Sequence, residues 1–311
     1  AGSGASVDHV YADDGVYTVT LTVTDDEGAF DQDTLQVTVA NLPPVAEDDS
    51  KTAIEDTELV FAAADLLAND SDVPADTLSV TAVAATGNTH GTVSLVDAQV
   101  RYTPDVNYNG SASFTYTVAD DDGGQTTATV NLTVSAVNDA PSFVAGSDQA
   151  VDEDSGLHTA AGWATGISAG PADEAGQSLS FLVSNDNTAL FAVQPAIASD
   201  GTLSYTPAAN ANGSATVTVR VQDDGGTDGG GQDTSSPQTF QITLNAVNDA
   251  PSFVTGSDQA VDEDSGPQIA AGWATGLSAG PADEAGQSLS FLVSNDNTAL
   301  FAVQPAIASD G

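Results

Sequence analysis

Carboxylates are the side chains in this sequence with the most evident chemistry, since 45 Asp and Glu residues face three Lys and Arg residues, for a formal charge of −42. Many of them stand in short runs such as "VDEDSG" and "DDGG", and in the string "VNDAPSF", which starts at Val137 and again at Val247. Calcium takes about six to eight oxygen ligands from carboxylates, amides and backbone carbonyls. The residue types therefore predict calcium binding.

Ordinary turn chemistry is the alternative interpretation of the same residues. Asp-Asp-Gly-Gly suits a hairpin turn because both residue types tolerate positive φ angles. The Asn-Asp pair of "VNDAP" also suits an Asx turn in a linker. The large excess of acid over base favours calcium, because turns accept the neutral Asn as readily as Asp.

Composition argues against several classes of function. Nucleic acids and anionic membranes bind basic surfaces, so neither is an expected partner, and no apolar run approaches the ~18 residues of a membrane span. The sequence has no Cys, which excludes disulfides and thiolate metal sites. It also lacks a Ser-His-Asp set, a phosphate loop and a zinc-site spacing. We therefore expect no enzymatic activity and no direct membrane insertion.

The elements that position these acids are predicted to be short β-strands. Apolar and polar residues alternate with period two in Val-, Thr-, Phe- and Tyr-rich runs, separated by Gly- and Asp-rich turns. Strands every 8–12 residues in modules of about 100 residues are typical of antiparallel β-sandwiches. The ten predicted runs are 16–23, 34–39, 77–83, 99–103, 112–118, 127–134, 178–183, 202–206, 214–221 and 238–244.

Internal repetition divides the chain. Residues 141–201 and 251–311 differ at only five positions, which indicates duplication of a whole module. We expect the chain to be a piece of a longer protein, with pieces 1–42 and 250–311 each about half a sandwich and open at its strand edges. The predicted pieces are 1–42, 43–139, 140–249 and 250–311.

Two family resemblances follow from these motifs. Residues 9–40, "HVYADDGVYTVTLTVTDDEGAFDQDTLQVTVA", resemble the C-terminal part of a PKD domain, an immunoglobulin-like sandwich of extracellular proteins. Residues 43–139 and 140–249 resemble the cadherin-like repeats of large bacterial surface proteins, on motifs such as "DLLANDSD", "VRYTPDVNYNGSASFTYTVADDDGG" and the closing "VNDAP". The resemblance implies an all-β fold of tandem immunoglobulin- or cadherin-like antiparallel β-sandwiches in an extended array.

The cadherin resemblance also implies which residues bind calcium. The cadherin linker reads D-x-N-D-N-x-P-x-F, and "AVNDAPSF" keeps the N-D, the Pro and the Phe but has Ala136 at the leading Asp and lacks the second Asn. This departure removes ligands and is expected to lower the affinity or the number of ions. The implied ligands are Glu55, Asp72, Asp105, Asp120, Asn138, Asp139, Glu153, Asp173, Glu174, Asp223, Asn248, Asp249, Glu263 and Asp283.

We therefore expect a structural stalk or adhesion repeat of a secreted or cell-surface bacterial protein, in which calcium at the junctions between domains stiffens the array. Other surface proteins or polysaccharide are the further partners considered. The alternative is an accessory module of a secreted hydrolase that binds carbohydrate or protein. Trp163 and Trp273 occupy matching places in "AGWATG" and could form a sugar-stacking platform, although a core or rim tryptophan of a sandwich is the favoured interpretation. Loss of glycan binding with an unchanged fold on their substitution would favour the accessory module.

Overall fold

The computed structural model describes residues 9–73 and 76–311. Residues 1–8 of the predicted piece 1–42, and residues 74–75 of the piece 43–139, lie outside the described residues. The chain forms two compact units, one holding the residues up to Val137 with Asp228–Gly230, the other holding Asn138–Thr227 and Gly231–Gly311. The predicted all-β class is confirmed, since the only helical segments in the described part are 3₁₀ turns of three or four residues.

The first unit begins with a β-hairpin of strands β1 (Gly15–Thr24) and β2 (Phe30–Val39). The strands pair antiparallel over ten residues each. The Asp25 Oδ1 accepts hydrogen bonds from the backbone N–H groups of Glu27 and Ala29, which fixes the turn between them. Large apolar side chains of both strands stay exposed, so this hairpin has the alternation of a sandwich sheet but no covering layer among the described residues.

A complete two-sheet sandwich follows in the first unit. One sheet has the order β3-β9-β8-β5 and the other the order β4-β7-β6. Strands β3 and β9 pair in parallel, and the other pairs are antiparallel. The strands are β3 (Asp49–Ile54), β4 (Leu59–Ala62), β5 (Ser79–Ala85), β6 (Gly91–Val96), β7 (Gln99–Pro104), β8 (Gly110–Ala119) and β9 (Gln125–Ser135), with a 3₁₀ turn at Ala63–Leu66.

The core of this sandwich follows from strict alternation along its strands. Strand β8 buries Phe114, Tyr116 and Val118 on one face, because successive side chains of a strand point to opposite faces. The buried Tyr102 hydroxyl donates a hydrogen bond to the Thr89 carbonyl at 2.8 Å, which satisfies its one polar group.

The second unit repeats the architecture. Its sheets have the orders β11-β18-β17-β14, β12-β16-β15 and β10-β13, and the pair β11–β18 is parallel. The strands are β10 (Ser142–Val144), β11 (Gln149–Asp152), β12 (His158–Ala160), β13 (Thr165–Ser168), β14 (Ser180–Asn185), β15 (Phe191–Ile197), β16 (Leu203–Pro207), β17 (Gly213–Gln222) and β18 (Gln238–Asn245), with 3₁₀ turns at Ala172–Glu174, Thr188–Leu190 and Asp228–Gly230.

Aromatic residues close the second core. Phe143, two residues after the linker proline, is buried and packs edge-to-face on Phe181 with ring centroids 5.3 Å apart. Trp163 is only 5% exposed, packs on Phe240, and donates its Nε1–H to the Ser147 carbonyl at 2.9 Å. Trp163 is therefore a core residue.

Residues 251–311 repeat the first half of this module and form only strands β19 (Ser252–Val254) and β20 (Thr275–Ser278), with 3₁₀ turns at Ala282–Glu284 and Thr298–Leu300. Phe301 is 42% exposed, whereas its copy Phe191 is 5% exposed. The difference arises because Phe191 packs among residues of β16–β18, and residues 251–311 contain no copy of those strands.

The two copies of this phenylalanine give a matched test of the core. Phe191→Ala should destabilise the module 140–249 by ~3–5 kcal/mol, the usual cost of removing a buried aromatic ring. Phe301→Ala should change stability by no more than about 0.5 kcal/mol. The measurement is denaturant-dependent hydrogen exchange of β17 amides in the full chain, and equal effects of the two substitutions would contradict the packing described.

Candidate cation sites

Parallel strand pairing places a glutamate at the end of each complete module. Glu55 directly follows β3 and donates its N–H to the Ser135 carbonyl at 3.0 Å, at the end of β9. Glu153 directly follows β11 and donates its N–H to the Asn245 carbonyl at 3.0 Å, at the end of β18. Each glutamate therefore lies beside the linker that leaves the last strand of its module.

Glu55 is 3% exposed and held at both oxygens. Its Oε1 accepts a hydrogen bond from the Val137 N–H at 2.5 Å, and its Oε2 accepts one from Asn109 Nδ2 at 3.3 Å. Asp105, also a predicted ligand, is exposed, and its N–H donates to the His90 carbonyl. The "NYNG" loop thus approaches Glu55 through Asn109.

In the second unit, five residues form what we call the Glu174 cluster: Asn138, Asp139, Glu174, Gln177 and Asp223. The Glu174 Oε1 accepts the Asp139 N–H at 2.6 Å. Asn138 donates its Nδ2 to the Asp223 Oδ1 at 3.0 Å and accepts the Gln177 Nε2 at its Oδ1 at 2.7 Å. The predicted ligands Asn138, Asp139, Glu174 and Asp223 are thus joined by a short hydrogen-bond network, while Asp173 is exposed on the adjoining 3₁₀ turn.

Several oxygens of the Glu174 cluster are buried without a hydrogen-bond partner among the described residues, namely the Oε2 of Glu174, the Oδ2 of Asp223 and the Oε1 of Gln177. Glu174 and Asp223 are only 5% and 6% exposed. Burial raises the pKa of the Glu174 carboxyl above its ordinary value, although the hydrogen bond from the Asp139 N–H partly opposes that rise. The network therefore leaves anionic oxygen that the protein itself does not satisfy.

Glycines make room for these oxygens. A Cβ added at Gly170 would lie 1.7 Å from the Glu174 Oε2, and one at Gly225 would lie 1.7 Å from the Asn138 Oδ1. Neither glycine has a positive φ angle. Glycine is therefore required at both positions because any side chain would overlap these oxygens.

The Glu284 cluster, also in the second unit, contains Glu153, Asp154, Asn210, Asp249 and Glu284. The Glu153 Oε1 accepts the Val247 N–H at 2.8 Å, and the Glu284 Oε1 accepts the Asp249 N–H at 2.5 Å. The Asn210 amide, oriented to satisfy both its atoms, donates to Asp249 and Asp154 at 3.1 Å each. The Oε2 atoms of Glu153 and Glu284 are buried and unpartnered among the described residues.

The remaining predicted ligands near this cluster differ in their hydrogen-bond partners and their exposure. The Asn248 Oδ1 accepts the Gln287 Nε2 at 3.0 Å, and the exposed Asp283 accepts Asn212 Nδ2 at 3.0 Å. Glu263 is exposed. Its copy Glu153 is fixed by the pairing of β11 with β18, and residues 251–311 contain no copy of β18.

A third group, the Asp76 cluster, lies in the first unit and contains Asp13, Asn41, Asp72, Asp76, Asp120 and Asp122. One carboxylate oxygen from each of Asp72, Asp76 and Asp120 lies within 4.8 Å of the others, and the same holds for Asp13, Asp76 and Asp122. Both oxygens of Asp76 and the Oδ2 of Asp72 are buried and unpartnered in the described part of the chain. Asp120 accepts hydrogen bonds from Asn41 Nδ2 at 2.9 Å and from the Gly124 N–H at 2.7 Å.

The carboxyls of the Asp76 cluster differ in proton affinity. The Asn41 hydrogen bond lowers the pKa of Asp120. Burial, followed by the charges of Asp13 and Asp72, raises the pKa of Asp76 to about 6. Repulsion from Asp14 is the largest cause of the raised pKa of Asp122. Carboxylates of like charge are therefore crowded in this cluster. No basic side chain is among the causes of these pKa shifts.

Sequence reasoning named Asp72 and Asp120 but missed Asp13, Asn41, Asp76 and Asp122, and it named Glu174 but missed Glu284. Glu284 has a direct signal, since it is the copy of Glu174 at an offset of 110 residues. Asn41 is signalled by "NLPP", aligned with "NDAP" on the second proline. Asp13 is brought to the cluster by tertiary structure alone.

The donor sets fit a hard cation. Every candidate ligand atom in the three clusters is a carboxylate or amide oxygen, which Ca²⁺ prefers, and no thiolate or imidazole takes part. Carboxylate oxygens buried without a partner are costly unless a cation or a proton neutralises them. The clusters are therefore candidate sites for a divalent cation such as calcium.

The fold and these clusters define a tandem array of acid-rich β-sandwich domains. Residues 40–135 match the model of the cadherin-like domain, residues 1–39 match the PKD domain, and residues 138–243 match the bacterial Ig domain. The chain thus matches, in tandem, the models of a PKD domain, a cadherin-like domain and a bacterial Ig domain. Residues 140–249 were predicted to resemble cadherin-like repeats, and the family model that matches residues 138–243 is that of a bacterial Ig domain.

Solved cadherin structures are among the matches to this chain, at low identity. The crystal structure of Drosophila N-cadherin EC1-4 is 17% identical with a TM-score of 0.43, and the match covers 75% of this chain and 58% of that one. Human protocadherin-24 EC1-2 is 17% identical with a TM-score of 0.45, covering 66% of this chain and 98% of that one. The chain spans 34% of an endo-fucoidan hydrolase of glycoside hydrolase family 107, at 17% identity over 76% of this chain and a TM-score of 0.24.

No curated protein sequence matches the chain. Among the described residues, no helix has the length and apolarity needed to cross a membrane.

Two neighbouring glycines test the geometry of the Glu174 cluster. Gly170→Ala should displace the Glu174 carboxylate, because the new Cβ overlaps its Oε2, and so release the Asp139 amide. Gly176→Ala is the control, since an added Cβ there meets nothing within 4 Å. Hydrogen exchange at Asp139 should be faster in the first variant alone, and unchanged exchange in Gly170→Ala would contradict the placement of Glu174.

Asp76 should make stability depend on pH in calcium-free buffer. Its pKa is raised from 3.8 to about 6 in the folded chain, so the folded state binds more protons than the unfolded state between these values. Stability should therefore fall as pH rises from about 4 to about 6 and then level off. Thermal unfolding of Asp76→Asn should show a smaller decrease across this range, and an identical pH profile for both proteins would contradict the assignment.

Proposed function

We propose that this chain is a calcium-stiffened stalk or adhesion segment of an extracellular bacterial protein. The single observation that carries the proposal is a set of buried carboxylate oxygens, on Glu153, Glu174, Asp223 and Glu284, that have no partner in the described part of the chain. All four lie at the ends of modules, beside or across from a linker. Calcium binding there is the function that this arrangement of charge supports best.

The protein has almost no positive charge of its own to neutralise these groups. Lys51 lies over the Phe61 ring at 4.9 Å, Arg101 pairs with Glu58 at 3.0 Å, and Arg220 is exposed on β17. Burying a carboxylate without a counter-charge costs several kcal/mol even after relaxation. A bound divalent cation removes that cost, since the charges it contacts are of opposite sign.

Candidate ligands occur in all three clusters. Asn138, Asp139, Glu174 and Asp223 would hold an ion in the second unit. Glu153, Asp249 and Glu284 would do so in the Glu284 cluster, and Asp72, Asp76 and Asp120 in the Asp76 cluster. A cation in each would neutralise the carboxylates and cross-link the strand ends to the linker backbone.

The stalk role is supported by the domain types and by repetition. Cadherin-like and immunoglobulin-like domains are adhesion-type modules typical of extracellular regions, and their role in an array requires no catalysis. Near-identical copies such as 141–201 and 251–311 add length without adding new chemistry. The match to a bacterial Ig domain supports a bacterial surface or secreted protein.

The carbohydrate-binding alternative has less support. Trp163 packs in the core of its module, so its ring is not available to stack on a sugar. Its copy Trp273 donates its Nε1–H to the Ser257 carbonyl, the counterpart of the bond that Trp163 makes to Ser147. Both tryptophans thus make the same structural hydrogen bond.

Calcium should raise the melting temperature of the full chain and lengthen the particle in small-angle scattering. At free calcium about a hundredfold above Kd, one site adds ~2.7 kcal/mol, equivalent to roughly 10 °C or more for a domain of about 100 residues. Magnesium should be less effective because it demands smaller octahedral coordination.

Glu284→Gln should reduce this calcium response, and Glu58→Gln serves as the control because Glu58 is exposed and paired with Arg101. If EDTA changes neither the melting temperature nor the scattering of the wild-type chain, the proposal is wrong.

A further inference from the structure

The turn that carries these acids in each module varies in residue type at a position four residues after its aspartate. Asp76, Gln177 and Gln287 each stand four residues after a corresponding aspartate, at Asp72, Asp173 and Asp283. Their backbone N–H groups donate to the carbonyl three residues earlier, at 3.1, 2.9 and 2.9 Å respectively. The three residues therefore occupy the same place in three copies of one turn.

In the three copies of the turn, an acidic residue stands at one of two positions after the aspartate. The position directly after the aspartate is Glu174 or Glu284 where the later position is Gln, and it is Val73 where the later position is Asp76. Each turn thus has one carboxylate after its aspartate, at one place or the other. If this acid were only exposed to solvent, there would be no need for one of the two positions to carry it.

The side chains at the later position face the linker asparagine. Gln177 donates its Nε2 to the Asn138 Oδ1 at 2.7 Å, and Gln287 does the same to the Asn248 Oδ1 at 3.0 Å. The Oε1 of Gln177 is buried and has no partner among the described residues. It is a neutral oxygen of the same cluster as Glu174 Oε2 and Asp223 Oδ2, which are also buried without a partner among the described residues.

Asp76 reaches the equivalent place in the first unit. Asn41 donates to Asp120 at 2.9 Å as Asn138 donates to Asp223 at 3.0 Å, so the two clusters have the same frame. In that frame Asp76 brings a carboxylate within 4.8 Å of the oxygens of Asp72 and Asp120, and both its own oxygens are buried and unpartnered in the described part of the chain.

We propose that Asp76 is the carboxylate ligand that replaces Glu174 in the Asp76 cluster, and that the position shared by Asp76, Gln177 and Gln287 supplies a side-chain oxygen to the bound cation. This inference rests on the proposed function, because it names ligands of the same ions. An ion held in this cluster would be contacted by Asp120, which the linker-side Asn41 orients, and by Asp72 and Asp76 of the turn. The acid is interchangeable between the two turn positions as long as one of them carries it.

The test exchanges the two positions in the full chain. Asp76→Gln should raise the calcium concentration that protects the backbone amides of residues 120–124 from hydrogen exchange by at least about tenfold, as loss of a metal-binding contact typically does. The double variant Val73→Glu with Asp76→Gln recreates the residue types of the second module's turn. It should recover the wild-type calcium dependence.

Two internal references accompany the measurement. Asp26→Asn removes the same charge from the far end of the β1–β2 hairpin, ten paired residues from Gly15 and Val39, and should leave the calcium dependence unchanged. The amides of residues 138–140, in the Glu174 cluster, should keep their wild-type protection in every variant.

The outcomes separate this inference from the proposed function. Absence of calcium-dependent protection at every cluster of the wild-type chain overturns the proposed function. Protection that is present in the wild type and unaltered by Asp76→Gln overturns only the role of Asp76. A double variant as weak as Asp76→Gln overturns the interchange of the two positions.

Discussion

The structure depends on one electrostatic constraint: carboxylates are buried at the ends of β-sandwiches in a chain that has three basic side chains for 45 acids. A buried carboxylate oxygen needs a hydrogen-bond donor or a positive charge. Backbone N–H groups and asparagine amides satisfy part of the need, as at Glu174 Oε1 and Asp223 Oδ1. The second oxygens, Glu174 Oε2 and Asp223 Oδ2, have no partner among the described residues, and in the proposed function a bound cation supplies it. Under the proposed function, the stability of each module and the order of its linker would therefore depend on the calcium concentration.

The strand order determines that the acidic residues lie beside the linkers. The first strand of each complete module pairs in parallel with the last, so the glutamate after β3 or β11 meets the chain as it leaves β9 or β18. The same arrangement occurs in both modules although their sequences differ. Where the pairing strands are not repeated, as in residues 251–311, Glu263 stays exposed. The metal chemistry proposed here is therefore a consequence of sheet topology as much as of residue type.

Alternation predicted the ten regular strands because a half-buried strand needs apolar residues every second position, and each prediction overlaps an observed strand. It did not indicate β3, β4, β6, β10–β13, β15, β19 or β20, which are short or lie at sheet edges, where side chains of both faces are partly exposed. In the clusters, Glu55, Glu153, Glu174 and Asp223 could be named from motif and repeat offset. Asp13 and Asp76 could not, since their approach to Asp120 and Asp122 depends on how a hairpin and a turn pack in three dimensions.

Direct calorimetric titration of the full, chelator-treated chain with calcium at about 0.15 M ionic strength tests the central claim most directly, because screening at that salt level weakens diffuse attraction to exposed acids. The account predicts saturable binding of more than one ion per chain, with fewer ions or weaker binding when Glu174 and Asp223 are replaced by Gln and Asn. A linear, non-saturating heat that these substitutions leave unchanged would show that calcium acts only as a counter-ion to the surface.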